Sequence, residues 1–463
     1  MRPQNTLARE RLDVELRTHA PIAATDLSER LGVSLATTLR MLRERDERVV
    51  RIGTTKTARY ALRRALRGIA KPIPVYRIDR NGKGHSCPSL ELLEPQAALF
   101  DLKAMGWPMD KDHGKGWWDG LPYPLYDMRP QGFLGRNFAR QTSRDLGVSL
   151  NPEEWSDDDI VYALSRYGSD TAGNLIVGDQ AYERWLASVA TPEDPLRSRG
   201  LADRYAELAY RATGQGIAGS SAAGEFPKFT VAREISGSAT LHAIVKFSGA
   251  DNSTAVRRWS DLLICEHLAL VAFEASTKLR AARSRIFSAK GRTFLDVERF
   301  DRHGMLGRSE ILTMDALNAA LLGSSNLAWP ELVRQLSRLK LTTDGLADDV
   351  RVLWWFGKLI ANTDMHLGNL SFQFEPGESP RLTLAPTYDM LPMLYAPLSG
   401  GEVPTREFDP SLPLPREREA WEMACRAAVR FWKTASRDSR ISRPFRNICE
   451  QNGKRLTTLA ERI

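Results

Sequence analysis

The first seventy residues carry two hydrophobic periods in succession. Residues 7–20 place apolar and charged positions at helical spacing. Residues 23–43 then read as helix, glycine-centred turn, helix. Leu27 and Leu31 share one face, Gly32 permits the turn, and Ser34 is a natural N-cap for the second helix. Leu35, Leu39 and Leu42 form the expected inward stripe. Ser34, Thr37, Thr38, Arg40 and Arg43 form the outward face. After them the period shortens to two. Val49–Gly53 and Ala58–Leu62 predict a pair of strands decorated by Lys56 and Arg59.

Beyond residue 62, the stretch 63–75 carries Arg63, Arg64, Arg67-Gly68 and Lys71-Pro72-Ile73-Pro74 and reads as a linker. Residues 76–190 are rich in Gly, Pro and aromatics. Trp117–Pro122 and Arg129–Gly132 look like loops, Asp157–Tyr167 like a helix ending near Gly168, and Gly173–Gly178 like a short strand. Core packing is the expected use of Trp117 and Trp118. A Gly/Ser/Ala stretch from Gly214 runs into a strand near Lys228. Leu241–Phe247 reads as a buried strand containing Lys246, Trp259–Ala275 as a helix, and Arg292–Arg302 as a strand leading into a connector. Leu346–Ile360 is an amphipathic helix anchored by Val350, Leu353, Trp354 and Leu359. Leu370–Phe374 and Leu382–Leu384 predict a hairpin, and residues 416–463 are helical and basic.

The charge is unevenly placed. Residues 1–70 hold 15 Lys and Arg against 8 Asp and Glu, seven of the chain's net eight positive charges. A basic module on a neutral body points to a polyanion partner, and with the turn spacing and hairpin it reads as a winged helix-turn-helix that binds DNA. The bland alternative is a small basic helical domain that only packs on the body. Cys87, Cys265, Cys425 and Cys449 are scattered, without metal or disulfide spacing, which suits a reducing cytosol. No apolar run is long enough for a membrane helix and no signal-peptide core is present, so a cytoplasmic protein, nucleoid-associated when on DNA, is expected.

The candidate chemistry lies in Ala361–Phe372, followed by Thr387–Met390. Asp364 and Asn369 stand five positions apart. Protein kinases put the Asp that accepts the substrate hydroxyl proton five residues before an Asn that holds magnesium, and a second Asp follows in a short turn. Asp389 occupies that place. Mg²⁺ asks for a few hard oxygens plus phosphate and water, and Asn369 with Asp389 supplies such a set. Upstream, Lys246 on its strand after a small-residue loop suits phosphate binding. Asp261 and Glu266 on the next helix are both candidates for the acid that positions Lys246, and the sequence does not choose between them.

The order of these parts resembles the HipA-like serine/threonine kinases, toxins of bacterial type II toxin–antitoxin systems. The likeness runs over about residues 76–460 and is sharpest at Val297–Arg302, Asn362–Phe372 and Ala385–Pro392. The N-terminal module resembles the fused winged domain of the YjjJ-type branch. The resemblance implies an α+β, bilobal kinase-like body with an α/β N-lobe and a helical C-lobe, behind a small winged helix-turn-helix. The expected divisions are 1–70, 71–305 and 306–463. It implies Asp364 as catalytic base, Asn369 and Asp389 on Mg²⁺, and Lys246 on ATP phosphates. Glu298 and Phe300 would meet adenine through their backbones, and Ser221, Gly224, Lys228 and His366 would line the nucleotide site. Ser221, or its neighbour Ser220, would be the autophosphorylated residue. One departure stands out. Where the family often has Gly-x-Gln-x-Lys, this chain has Gly224-Glu225-Phe226-Pro227-Lys228, which sets an acid beside incoming phosphates.

The expected function is an ATP- and Mg²⁺-dependent protein serine/threonine kinase that carries its own DNA-binding domain for autoregulation. Its expected partners are DNA, a protein substrate such as an aminoacyl-tRNA synthetase, an antitoxin and a second copy in a homodimer, with no membrane. Two alternatives are a DNA-binding regulator with a silent or nucleotide-sensing kinase-like body, and a metal-dependent nuclease acting on DNA.

Overall fold

The computed structural model describes residues 3–53, 58–110, 115–213 and 225–462. The N-terminal module runs α1 (Pro3–His19), β1 (Ile22–Ala23), α2 (Ala24–Leu31), α3 (Leu35–Arg43), β2 (Val49–Ile52) and β3 (Arg59–Leu62). Its antiparallel sheet is ordered β1-β3-β2. Gly32 closes α2 in the left-handed region that only glycine enters without strain (φ 65°). The Ser34 hydroxyl then accepts from the Thr37 amide at 3.3 Å and starts α3. Leu12, Leu16, Leu27, Leu31, Met41 and Leu42 fill the core.

The helical phase of α3 differs from the expected one by about a residue. Thr38 is fully buried and Leu35 is 41% exposed. The inward row is Thr38, Met41 and Leu42, at i, i+3 and i+4. Thr38 therefore leaves the candidate DNA face, on which Ser34, Arg40 and Arg43 are exposed.

Residues 63–75 are not a free linker. Arg63 pairs with Glu91 (2.7 Å), Arg64 with Asp158 (2.8 Å) and Arg67 with Asp159 (2.6 Å). Ile73 bridges Leu90. Val50, Ile52 and Ala61 from the hairpin form one apolar cluster with Leu93 and Ala97, flanked by Trp117. Trp117–Trp118, expected in a loop, is a short strand against Ala98–Leu99. Trp118 is core, its indole donating to the Phe100 carbonyl.

Behind this, the described residues of 69–190 fold as two small sheets and four main helices, including Gly132–Leu146 and Asp157–Tyr167. The kinase-like part opens with a five-stranded sheet. Its order is Leu196–Arg197, Lys228–Glu234, His242–Phe247, Arg292–Glu298, Ser284–Ala289. Helix Leu201–Ala212 covers one face through Tyr205 against Phe229, Phe287 and Phe294. The long helix Thr254–Thr277, buried on most sides, packs against the sheet and the C-terminal helices. It meets Leu346–Leu359 through Phe273 on Phe356, Arg443–Ala460 through Arg258 on Phe445, and Arg418–Ala435 directly, while Trp329–Arg338 packs on Leu346–Leu359. Between the two parts lies a small sheet of Leu312–Thr313, Ser371–Gln373 and Thr383–Leu384, which holds the loop carrying Asp364. Among the described residues no helix is long and apolar enough to cross a membrane.

Candidate active site

The cleft between sheet and helical part holds a cavity of about 1040 Å³. Its wall brings together Lys228, Lys246, Asp364, His366, Asn369 and Asp389, which come from four separate stretches of chain. Lys246 enters from the strand. Its ammonium meets both carboxylate oxygens of Glu266, at 2.8 and 2.9 Å, and also the carboxylate of Asp389. Glu266 is thus the acid that positions the lysine. Asp261 faces the other way and caps Arg443–Ala460, accepting from the Ser442 amide and hydroxyl. Burial lowers the Lys246 pKa, and Glu266 acts against that fall.

The loop after Leu346–Leu359 is tied by its own polar side chains. Asn362 Oδ1 accepts from the Asp364 amide (3.0 Å), and its Nδ2 donates to the Asp389 carbonyl (3.3 Å). Asn369 Nδ2 donates to the Asp364 carbonyl at 2.9 Å, and its Oδ1, an acceptor, could hold a cation. His366 Nδ1 accepts from the Gly368 amide, while its ring stays exposed. Tyr388 donates to the Gly368 carbonyl (2.6 Å) and meets the Ser371 hydroxyl (2.7 Å). Burial pushes the Tyr388 phenol well up, so it stays a donor. Ala361 (φ 60°) and Asp389 (φ 55°) both hold left-handed backbone, a conformation that disfavours residues with a Cβ and that gathers at functional sites.

The middle region, residues 69–190, reaches this cleft twice. Asp127 accepts from the Thr313 amide (2.7 Å) and hydroxyl, and Thr313 lies opposite Ser371 in the small sheet. Burial pushes the Asp127 carboxyl up to about 7. On the Lys228 side of the cavity, Glu225 pairs with Lys228 (2.7 Å) and with Arg136 (3.0 Å). Burial works against the Glu225 carboxylate, but Lys228 and Arg136 outweigh it and hold its pKa below the usual range.

The amino-acid sequence over this architecture matches two family models. One, described as the YjjJ-like toxin middle domain, spans residues 69–186. The other, the HipA-like C-terminal domain, spans residues 220–457. Over 450 residues the chain is 36% identical to Toxin YjjJ of Escherichia coli strain K12, covering 97% of this chain and 98% of that protein. The chain belongs to the HipA-like toxin family. Among solved structures, HipA of Shewanella oneidensis MR-1, determined in a complex with HipB and operator DNA, overlays with a TM-score of 0.50. The two are 14% identical over 84% of this chain and 97% of that one. That likeness shows the HipA-like fold. A Helicobacter pylori proinflammatory kinase, CtkA, overlays over 50% of this chain and 87% of its own, with a TM-score of 0.35 and 12% identity.

In this HipA-like toxin Glu298 and Phe300, the residues expected at adenine, are not part of the wall of the main cavity. The Glu298 amide is spent on the Arg283 carbonyl at 2.9 Å, so the amide of that residue does not face a ligand. Its carboxylate accepts from the Ala239 amide. The Phe300 ring packs on Tyr388, with centroids 5.8 Å apart. The connector is fixed by buried charge. Arg299 and Arg302 pair with Asp301 and with Asp170 from the middle region. Burial opposes the Asp170 and Asp301 carboxylates, yet the guanidinium groups hold both well below their ordinary range. Ser220, Ser221, Gly224 and Lys56 lie outside the described residues. Arg59 is exposed and donates to the Pro21 carbonyl (2.8 Å). Reasoning from the sequence missed Arg136, Asp127 and Asp170, which act across 89 to 186 positions of chain.

Proposed function

We propose that this HipA-like toxin is an ATP- and Mg²⁺-dependent protein serine/threonine kinase whose N-terminal module binds DNA. The observation that carries the reading is the buried Lys246–Glu266 pair beneath a cavity that also receives Asp364, Asn369 and Asp389. A lysine held by a carboxylate at the floor of a cleft is the device protein kinases use on nucleotide phosphates. A nuclease gives that pair no task.

The residues present fit a bound magnesium–nucleotide. Asn369 offers an oxygen, and Asp389 adds a carboxylate. Among the described residues no cluster of three or more His, Cys, Asp or Glu forms a protein-only metal cage. Such a partial set suits Mg²⁺, which shares its ligands with phosphate and water. Mg·ATP supplies the transferable γ-phosphoryl group. Lys246 and Lys228 would bind and orient its phosphates, with Glu266 keeping Lys246 aimed. Asp364 would accept the proton of the acceptor hydroxyl, whose oxygen would take the phosphoryl group as ADP leaves. The Asn362 and Asn369 side chains fix the Asp364 backbone, so little reorganisation is needed at the moment of transfer.

For the N-terminal module, the exposed Arg40, Arg43 and Ser34 at the start and outer face of α3 suit a duplex groove and its phosphates. Winged helix-turn-helix is the reading that its element order supports. A separate antitoxin, a second copy and a protein acceptor such as an aminoacyl-tRNA synthetase are the other partners in this proposal.

Incubation of the full chain and of Asp364→Ala with Mg²⁺ and γ-labelled ATP, followed by phosphopeptide mapping, tests the kinase assignment. Protein-bound label in the wild type only is expected, on Ser220 or Ser221. Equal label in both, or none in either despite measured nucleotide binding, overturns it.

A further inference from the structure

Glu225 lines the cavity beside Lys228, and the catalytic scheme above does not use it. Its carboxylate is held on both oxygens. Oε1 takes Lys228, and Oε2 takes Arg136 from helix Gly132–Leu146. The Phe133 amide, in the first turn of that helix, also donates to it. Gly132 makes room. A Cβ there would stand 2.8 Å from Glu225 Oε1, and the residue holds a φ of 59°. Helix start, glycine and arginine together form a seat for an anion, and Glu225 occupies it while also neutralising Lys228.

The geometry points to Glu225 as an internal stand-in for phosphate, and to Arg136 as the positioning residue that retains it when Lys228 turns to an incoming nucleotide. This deepens the kinase reading and rests on it. The electrostatics are simple. With Glu225 on Lys228, the cavity offers phosphates one lysine fewer. Detaching Glu225 without another cation would leave a half-buried carboxylate short of partners beside a polyanion. Arg136 and the Phe133 amide remain on the carboxylate after Lys228 leaves, so the exchange exposes no uncompensated charge. The middle region would thereby set nucleotide affinity from outside the kinase-like fold.

The test is a double-mutant cycle on the full chain, reading affinity for a Mg²⁺-bound non-hydrolysable ATP analogue by calorimetry. Arg136→Gln should weaken binding about five- to tenfold, a partly buried ion pair's worth. Glu225→Gln should tighten it by a similar factor. In the Glu225→Gln background, Arg136→Gln should change affinity less than about twofold, because its partner is gone. Arg136→Lys should recover most of the wild-type affinity, and unfolding midpoints check that each variant is folded. An equal Arg136→Gln effect in both backgrounds overturns the inference, since Arg136 then acts on the nucleotide directly. An Arg136→Gln variant that binds more tightly overturns it too. Failure of the folded wild type to bind the analogue removes the nucleotide reading and this inference together. Binding without coupling removes the inference alone.

Discussion

Asn369 donates its side-chain amide to the backbone carbonyl of Asp364 at 2.9 Å, so the two kinase-like residues hold each other. The donor and acceptor ends of one carboxamide therefore have different jobs. Asn369→Asp keeps an oxygen for a cation but replaces the donor with an acceptor facing a carbonyl. The expected result is a loss of transfer rate of about 10²-fold or more that raised Mg²⁺ does not restore. Asn369→Asp rates measured over a Mg²⁺ series check this. Recovery at high Mg²⁺ would mean that only the cation site matters.

Lys246→Met should leave Glu266 as a buried carboxylate without its cation. Breaking a buried pair from one side costs about 3–5 kcal/mol. The double variant Lys246→Met/Glu266→Gln should recover part of that stability and none of the activity. Urea unfolding of the two variants decides. If the single variant is as stable as the double, the pair does not support the fold.

Asp127 gives a pH signature. Its folded pKa of about 7 lies above an ordinary carboxyl, so the folded state binds the proton more tightly than the unfolded chain does. Stability from this group is present in acid and falls as pH rises from about 4 to about 7. Asp127→Asn removes that slope. Unfolding midpoints across this range should drop more steeply in the wild type than in Asp127→Asn. Identical pH dependence in both would place the titration elsewhere.

On α3, Arg43→Ala should weaken duplex binding and lower the salt slope by about 1, the share of one phosphate contact. Thr38→Val should leave DNA affinity unchanged, because the side chain is buried. Its hydroxyl also has no partner among the described residues, so the variant should be at least as stable. Fluorescence anisotropy on a duplex from the chain's own promoter, over a salt series, separates the two residues. A large affinity loss in Thr38→Val would return it to the groove-facing side.

Local patterns were readable because their chemistry is local. Asp364, Asn369 and Asp389 lie within 26 positions, and the loop that presents them uses neighbours such as Asn362 and Tyr388. The long helix was harder to read. Asp261 and Glu266 lie about 140° apart around its axis. Because Thr254–Thr277 is buried on most sides, no apolar stripe indicates which acid faces the sheet. The same difficulty explains Leu35 and Thr38, which lie close enough in phase for a short helix to turn either inward. Residues 63–75 read as a linker because arginine and proline usually mark solvent-exposed chain. Only the folded body reveals Glu91, Asp158 and Asp159 waiting for those arginines. Arg136 and Asp127 carry no local signal at all, since each finds its partner only after distant segments have packed.

The seam of Val50, Ile52, Ala61, Leu93 and Ala97 makes the N-terminal module an outrigger fixed to its hull. A fixed outrigger transmits torque instead of absorbing it. Two copies seated side by side on a duplex would have to respect the bulk and facing of their bodies. The permitted half-site spacing would then be gauged by the whole chain, and a shift of the body would be felt as a twist at α3.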